Sequence, residues 1–277
     1  MTHGRKINYI DNLYQALKKV IKDMDLVKNE AMKISLIEAH LQRLETAPVD
    51  QLQREISSTH VGSLTSSLKE NFMVGFDQVF LEVLDKLTGG QLNCQIIPIM
   101  GTGGIGKTTL TRNLFENALV KEYFDIRAWT MISQTYNVRG TLREILFQAS
   151  GDLSDLSEDD LGEKLYKYLS GMRYLIVIDD MWSIEVWSKI KFFFPNHQNE
   201  SRIIVTTRLS NLGSQLNEFN TVCMKFLDEA SSWGLFCKTV FGKENCPLEL
   251  ESVGKNIVAN CKGLPLSIAT IGGLVKI

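Results

Sequence analysis

"GTGGIGKTT" occupies residues 101–109, directly after the apolar run "CQIIPIM" at 94–100. It matches G-x-x-x-x-G-K-[ST] at each fixed position. Gly101, Gly103, Gly104 and Gly106 let the backbone take positive φ and approach a phosphate with no Cβ in the way. Successive N–H groups then point inward, and a helix starting near Lys107 adds the positive end of its dipole. Lys107 brings a full charge to the β- and γ-phosphates, and Thr108 offers a hydroxyl to Mg2+. The strand before it and the helix after it separate a phosphate loop from a chance match.

A phosphate loop calls for an acidic partner at the tip of another strand. "YLIVIDD" at 174–180 supplies five apolar residues and then Asp179 and Asp180. Asp179 is the Mg2+ candidate, and Asp180 is placed to polarise a water, so these two are the catalytic candidates. The competing reading is a pair of acids that cap the following helix. A fast ATPase often carries the longer Glu in the second place, so Asp180 points to slow hydrolysis. A third tip, "RIIVTTR" at 202–208, ends in Arg208. That arginine either senses a terminal phosphate or is an ordinary surface residue. No N-K-x-D sequence is present to read guanine, which favours adenine. Pro98 disagrees with a central strand, because proline removes a ladder hydrogen bond; partial pairing or a shorter strand is expected there.

The bulk numbers suit a globular chain of one large or two modest domains: 277 residues, 44% hydrophobic and 22% charged. A net charge of −2 gives no electrostatic case for nucleic-acid binding. The cysteines Cys94, Cys223, Cys237, Cys246 and Cys261 are odd in number and form no C-x-x-C pair, so reduced thiols are expected. The four histidines lack metal-ligand spacing. No secretory signal opens the chain. The closing "GLPLSIATIGGLVKI" is apolar but short of a membrane span, and reads as a buried helix entered through Pro265. A cytoplasmic address follows, with peripheral attachment to membranes left open.

Working outward, Ile7, Ile10, Tyr14, Leu17, Ile21 and Met24 begin an apolar stripe that predicts an amphipathic helix or helical hairpin over 7–45. It serves either packing within its own domain or a coiled coil between chains. The Ser/Thr-rich residues 46–71 read as a linker. From Phe72, short apolar runs ("QIIPIM", "FDIRAWTMIS", "RYLIVIDD", "SRIIVTTR") alternate with helical stretches. One such helix follows Ser157, with Asp160 three residues on, Leu161, Leu165, Tyr168 and Leu169 on one face, and Gly171 as its stop. The fold class is therefore α/β, a parallel sheet covered on both faces. The expected division is 1–45 helical, 46–71 linker, 72–227 nucleotide-binding and 228–277 helical.

As an ordered set, these motifs resemble the NB-ARC nucleotide switch of plant NLR disease-resistance proteins, within the STAND class of P-loop NTPases. "GTGGIGKTT" resembles its P-loop, "LIVIDDMW" its kinase-2 strand, "RIIVTTR" its sensor motif and "GLPL" (263–266) the motif that starts a helix. "FDIRAWTMISQTY" and "FLDEASSWGLFCKTVFG" are similar to two further family blocks, and Trp182 fits the coiled-coil subclass. The general style is that of the late-blight-resistance-like proteins. The resemblance implies ADP/ATP and Mg2+ as cofactors. It implies a cradle of Gly101, Gly103, Gly104, Ile105, Gly106, Lys107, Thr108 and Thr109, with Val74 and Pro265 at the base or ribose and Arg208 at the γ-phosphate. It places the "TTR" strand between the P-loop and kinase-2 strands. Where the family has Arg after the glycine of "MVGFD", Phe76 stands here.

In that family ADP marks the resting state, and exchange for ATP permits oligomerisation and cell-death signalling. Partners are then other NLR chains or signalling proteins through the N-terminal helix. The chain ends soon after "GLPL", so a fragment, a truncated gene product or a short adaptor-like relative is expected, without the second helical subdomain or leucine-rich repeats. Two other functions compete with the switch: a motor-type ATPase, and a nucleotide-free decoy that binds full-length receptors.

Overall fold

The computed structural model describes residues 74–132, 137–152, 156–242 and 246–275. The expected helix at 7–45 and linker at 46–71 lie outside the described residues. In chain order the elements are α1 (Asp77–Thr88), β1 (Gln95–Met100), α2 (Lys107–Glu116), α3 (Ala118–Tyr123), β2 (Ile126–Met131), α4 (Val138–Ser150), α5 (Glu158–Leu169) and β3 (Tyr174–Asp179). Then come α6 (Ile184–Ile190), β4 (Arg202–Thr207), α7 (Ser210–Asn217), β5 (Val222–Cys223), α8 (Glu229–Phe241), α9 (Leu248–Asn260) and α10 (Pro265–Leu274). The described residues fall into two compact units, 74–235 with 261–269, and 236–260 with 270–275.

All five strands pair in parallel, in the order β2-β3-β4-β1-β5. The "TTR" strand β4 thus lies between β1 and β3, the placement that the resemblance implies. Burial explains the sequence pattern. Each residue of β3 and β4 is buried, so both carry consecutive apolar residues, "YLIVI" and "IIV", ahead of polar tips. At the edge, β2 buries alternate residues, Ile126, Ala128 and Thr130. One face of the sheet packs Ile126, Tyr174, Ile176 and Ile178 against Leu142, Ile145 and Leu146 of α4 and Leu161, Leu165 and Leu169 of α5.

Pro98 does not shorten its strand. β1 pairs with β4 along its full length, but with β5 only at Ile99 and Met100. The carbonyls of Ile96 and Met100 face the β5 side, where Met224 N–H and the amides of Asn217 and Asn220 reach them. By strand alternation Pro98 faces that side too, below the start of β5, where no ladder partner asks for its N–H.

Helix α5 starts as its sequence predicts. The Ser157 side chain accepts from the Asp160 N–H and its hydroxyl donates to the Asp160 carboxylate, 2.6 Å away. Leu161, Leu165 and Leu169 are buried, but Tyr168 is exposed, contrary to its expected place on the apolar face. It sits at the edge of the stripe, where a phenol keeps its hydroxyl in water. The final helix, expected to be buried, is buried along one side only. Ile268, Gly272 and Val275 are buried, one side of the helix, whereas Leu266 and Leu274 are exposed.

Candidate functional site

The site forms outside the carboxyl ends of β1, β3 and β4, where open parallel sheets place their ligands. Register brings the pieces together. Met100 pairs with Thr207, and Ile178 with Val205, so the loop after β1 and the acids ending β3 both flank the tip of β4.

The loop 101–106 turns on itself, with Ile105 N–H donating to the Thr102 carbonyl at 3.3 Å. Gly104 (φ 76°) and Gly106 (φ 105°) occupy the left-handed region that favours glycine. A Cβ on Gly104 would also stand 2.7 Å from the Leu266 Cβ, so space as well as backbone conformation demands glycine there. Gly106 is the residue before α2, and its carbonyl accepts from Leu110 N–H at 2.8 Å.

Lys107 opens α2 and is 6% exposed. Its ammonium donates to the Gly101 carbonyl (2.7 Å) and the Thr102 carbonyl (3.1 Å). An ammonium carries three donors, so one remains for a ligand. Burial pushes the Lys107 ammonium below its ordinary range; Arg208 adds to this, and Asp180 and Asp179 oppose it. An anion in the loop would relieve that cost.

Asp179, fully buried, receives the Thr108 hydroxyl at 3.1 Å from each of its carboxylate oxygens. The Thr206 hydroxyl donates to the same carboxylate at 2.5 Å and accepts the Asp180 N–H at 2.8 Å. Among the described residues Asp179 forms no ion pair. A buried carboxylate held only by hydroxyls can take a cation, because those hydroxyls can turn lone pairs outward. The donor set of Thr108 and Asp179, both oxygen, suits Mg2+. Asp180 has φ 56° and meets Arg208 through two contacts of 3.2 and 3.3 Å. The Arg208 guanidinium also covers the Trp182 ring, 4.9 Å from its centre.

Of the candidates read from the sequence, the structure gathers Gly101, Gly103, Gly104, Ile105, Gly106, Lys107, Thr108, Asp179, Asp180 and Arg208. Thr109 sits on the exposed side of α2. Pro265 is the first residue of α10, beside Leu266, whose N–H donates to the Gly104 carbonyl at 3.1 Å. Val74 lies two residues before Phe76, whose ring approaches Gly106 together with Met224. Thr206, Leu266 and Met224 escaped the sequence reading. Thr206 lay inside a quoted motif and Leu266 inside "GLPL", but the two-residue β5 gave Met224 no periodic signal.

Residues 76–246 match the NB-ARC domain. This chain belongs to the NB-ARC family. Membership and the phosphate loop together imply adenine-nucleotide binding. Over 248 residues the NB-ARC chain is 34% identical to Late blight resistance protein R1-A of Solanum demissum, covering 88% of this chain and 19% of that protein. It is also 34% identical over 249 residues to the putative late blight resistance protein homolog R1B-14 of the same species, covering 88% and 19%. The chain therefore spans about a fifth of the length of these curated relatives. Among solved structures, Cdc6p from Pyrobaculum aerophilum is similar with a TM-score of 0.57 at 14% identity, covering 75% of this chain and 62% of that one. That likeness shows the shared fold. Among the described residues no helix is long and apolar enough to cross a membrane.

Proposed function

We propose that this chain is an adenine-nucleotide switch of plant disease resistance, resting with ADP and activated with ATP and Mg2+. The observation that carries the reading is the Lys107 ammonium with one donor to spare, beside a buried carboxylate that among the described residues is held by hydroxyls alone. Lys107 supplies its third donor and its charge to the phosphates, and the loop amides add theirs. Thr108 and Asp179 would hold Mg2+, which neutralises phosphate charge when bound. Val74 and Pro265 serve the base or ribose, Thr109 and Ile105 complete the loop, and Arg208 answers a terminal phosphate. Hydrolysis is slow, because Asp180 is engaged by Arg208 and carries a short side chain for a base.

In this reading residues 72–227 hold the nucleotide and 228–277 form a helical subdomain. An N-terminal helix would recruit other receptor chains or signalling partners in the cytoplasm. The similarity to late blight resistance proteins supports the biological setting. Isothermal titration with ADP tests the site: Lys107→Ala lowers affinity about a hundredfold, through loss of a charge-assisted donor. Unchanged ADP affinity in that variant would refute the assignment.

A further inference from the structure

At the tips of β3 and β4, the Arg208–Asp180–Trp182 cluster combines features that neither phosphate anchoring nor Mg2+ binding requires. The guanidinium presents Nε and Nη2 to the two Asp180 oxygens, at 3.2 and 3.3 Å, and its central carbon sits over the Trp182 ring. Its remaining nitrogen, Nη1, lies 3.4 Å from where a Cβ on Gly103 would stand, so its third edge faces the phosphate loop. The two partners are anchored unequally. Asp180 is held in the left-handed region by its N–H bond to Thr206, whereas Arg208 follows the end of β4 on a long side chain. Side-chain exposures of 44% for Arg208 and 28% for Asp180 leave the pair open to solvent. Such pairs are weak and exchange readily.

We propose that Asp180 is a specificity determinant that competes with the terminal phosphate of a nucleoside triphosphate for Arg208, biasing the site toward diphosphate. A diphosphate leaves the Arg208–Asp180 fork intact. A triphosphate brings charge to the loop mouth, and Arg208 can answer it fully only by leaving Asp180. The Trp182 ring keeps the guanidinium near the loop during that exchange, because its face attracts the cation in either position. This inference rests on the nucleotide-switch reading.

The test is a double-mutant cycle on the full chain, reading affinities for ADP and for the non-hydrolysable triphosphate AMP-PNP by titration calorimetry with Mg2+. Asp180→Asn should raise the ratio of AMP-PNP to ADP affinity about three- to fivefold, the range of an exposed ion pair. In an Arg208→Ala background the same substitution should move the ratio by clearly less. An equal effect in both backgrounds would mean simple repulsion between Asp180 and phosphate, and would overturn the proposal. So would an unchanged ratio in the chain that keeps Arg208. If the unaltered chain binds neither nucleotide, the switch reading falls and this inference with it. If it binds both and only the cycle fails, the switch reading stands.

Discussion

The two ends of the sheet each bury a cation in backbone carbonyls. At the carboxyl end, Lys107 spends two of its three donors, on Gly101 and Thr102. At the amino end, Arg202 is fully buried and spends all five of its donors. Its Nε donates to Lys86, Nη1 to Asn93 and Ser201, and Nη2 to Gly89 and Gln91, at 2.6–3.3 Å. These carbonyls come chiefly from the connection between α1 and β1, which Arg202 clamps to the sheet. Around it Tyr174 donates its hydroxyl to the Pro195 carbonyl at 2.7 Å, and Arg173 lies over Tyr123. A saturated cation is a structural rivet, and an unsaturated one is a binding group. The ion pairs differ likewise: Arg208–Asp180 at the carboxyl end is open to water, while Arg202 needs no carboxylate.

Three substitutions would break or sharpen this contrast. The largest effect is expected from Arg202→Met, which leaves a set of carbonyls without a donor. Urea denaturation should show a loss of about 3–5 kcal/mol, and a loss below that of an ordinary surface change would remove the distinction. Next, Tyr174→Phe deletes a buried hydroxyl and orphans the Pro195 carbonyl, for about 1–2 kcal/mol by the same measurement. The smallest effect on stability belongs to Lys107→Met, about 1 kcal/mol or less, because relief of desolvation offsets two lost bonds.

The last variant also has a pH signature. The Lys107 pKa is lower in the folded chain than its ordinary value of 10.5. As pH rises through the folded pKa, the folded state sheds this proton before the unfolded chain does. Stability therefore gains an increment between the folded pKa and 10.5 that Lys107→Met lacks. Parallel stability–pH curves for the two proteins in that window would contradict the depressed pKa.

Much of the site was legible because its chemistry is local. The loop 101–109 needs consecutive glycines and a lysine, and "YLIVIDD" and "RIIVTTR" end apolar runs with the polar residues that a strand tip exposes. The long, doubly covered strands announced themselves for the same reason. β5 did not, since two residues carry no periodicity, and the harmlessness of Pro98 depended on how little of β1 that short strand covers. Tyr168 was misplaced because a helical stripe has edges that spacing alone does not grade.

By itself the sequence determined a parallel α/β fold, the glycine-rich loop with its lysine, the acidic tip of β3 and the arginine after β4. The fold class, the loop and the acidic tip follow from periodicity and from spacings of a few residues, and the family follows from the resemblance of the ordered motifs. Tertiary structure alone decided which cation is saturated and which is left a donor. It also decided that Arg208 spends its charge on Asp180 and that Leu266 braces Gly104. Four of the carbonyls around Arg202 lie more than a hundred residues from it, Asp180 lies 28 from Arg208, and only the order and register of the strands bring these atoms within hydrogen-bonding reach.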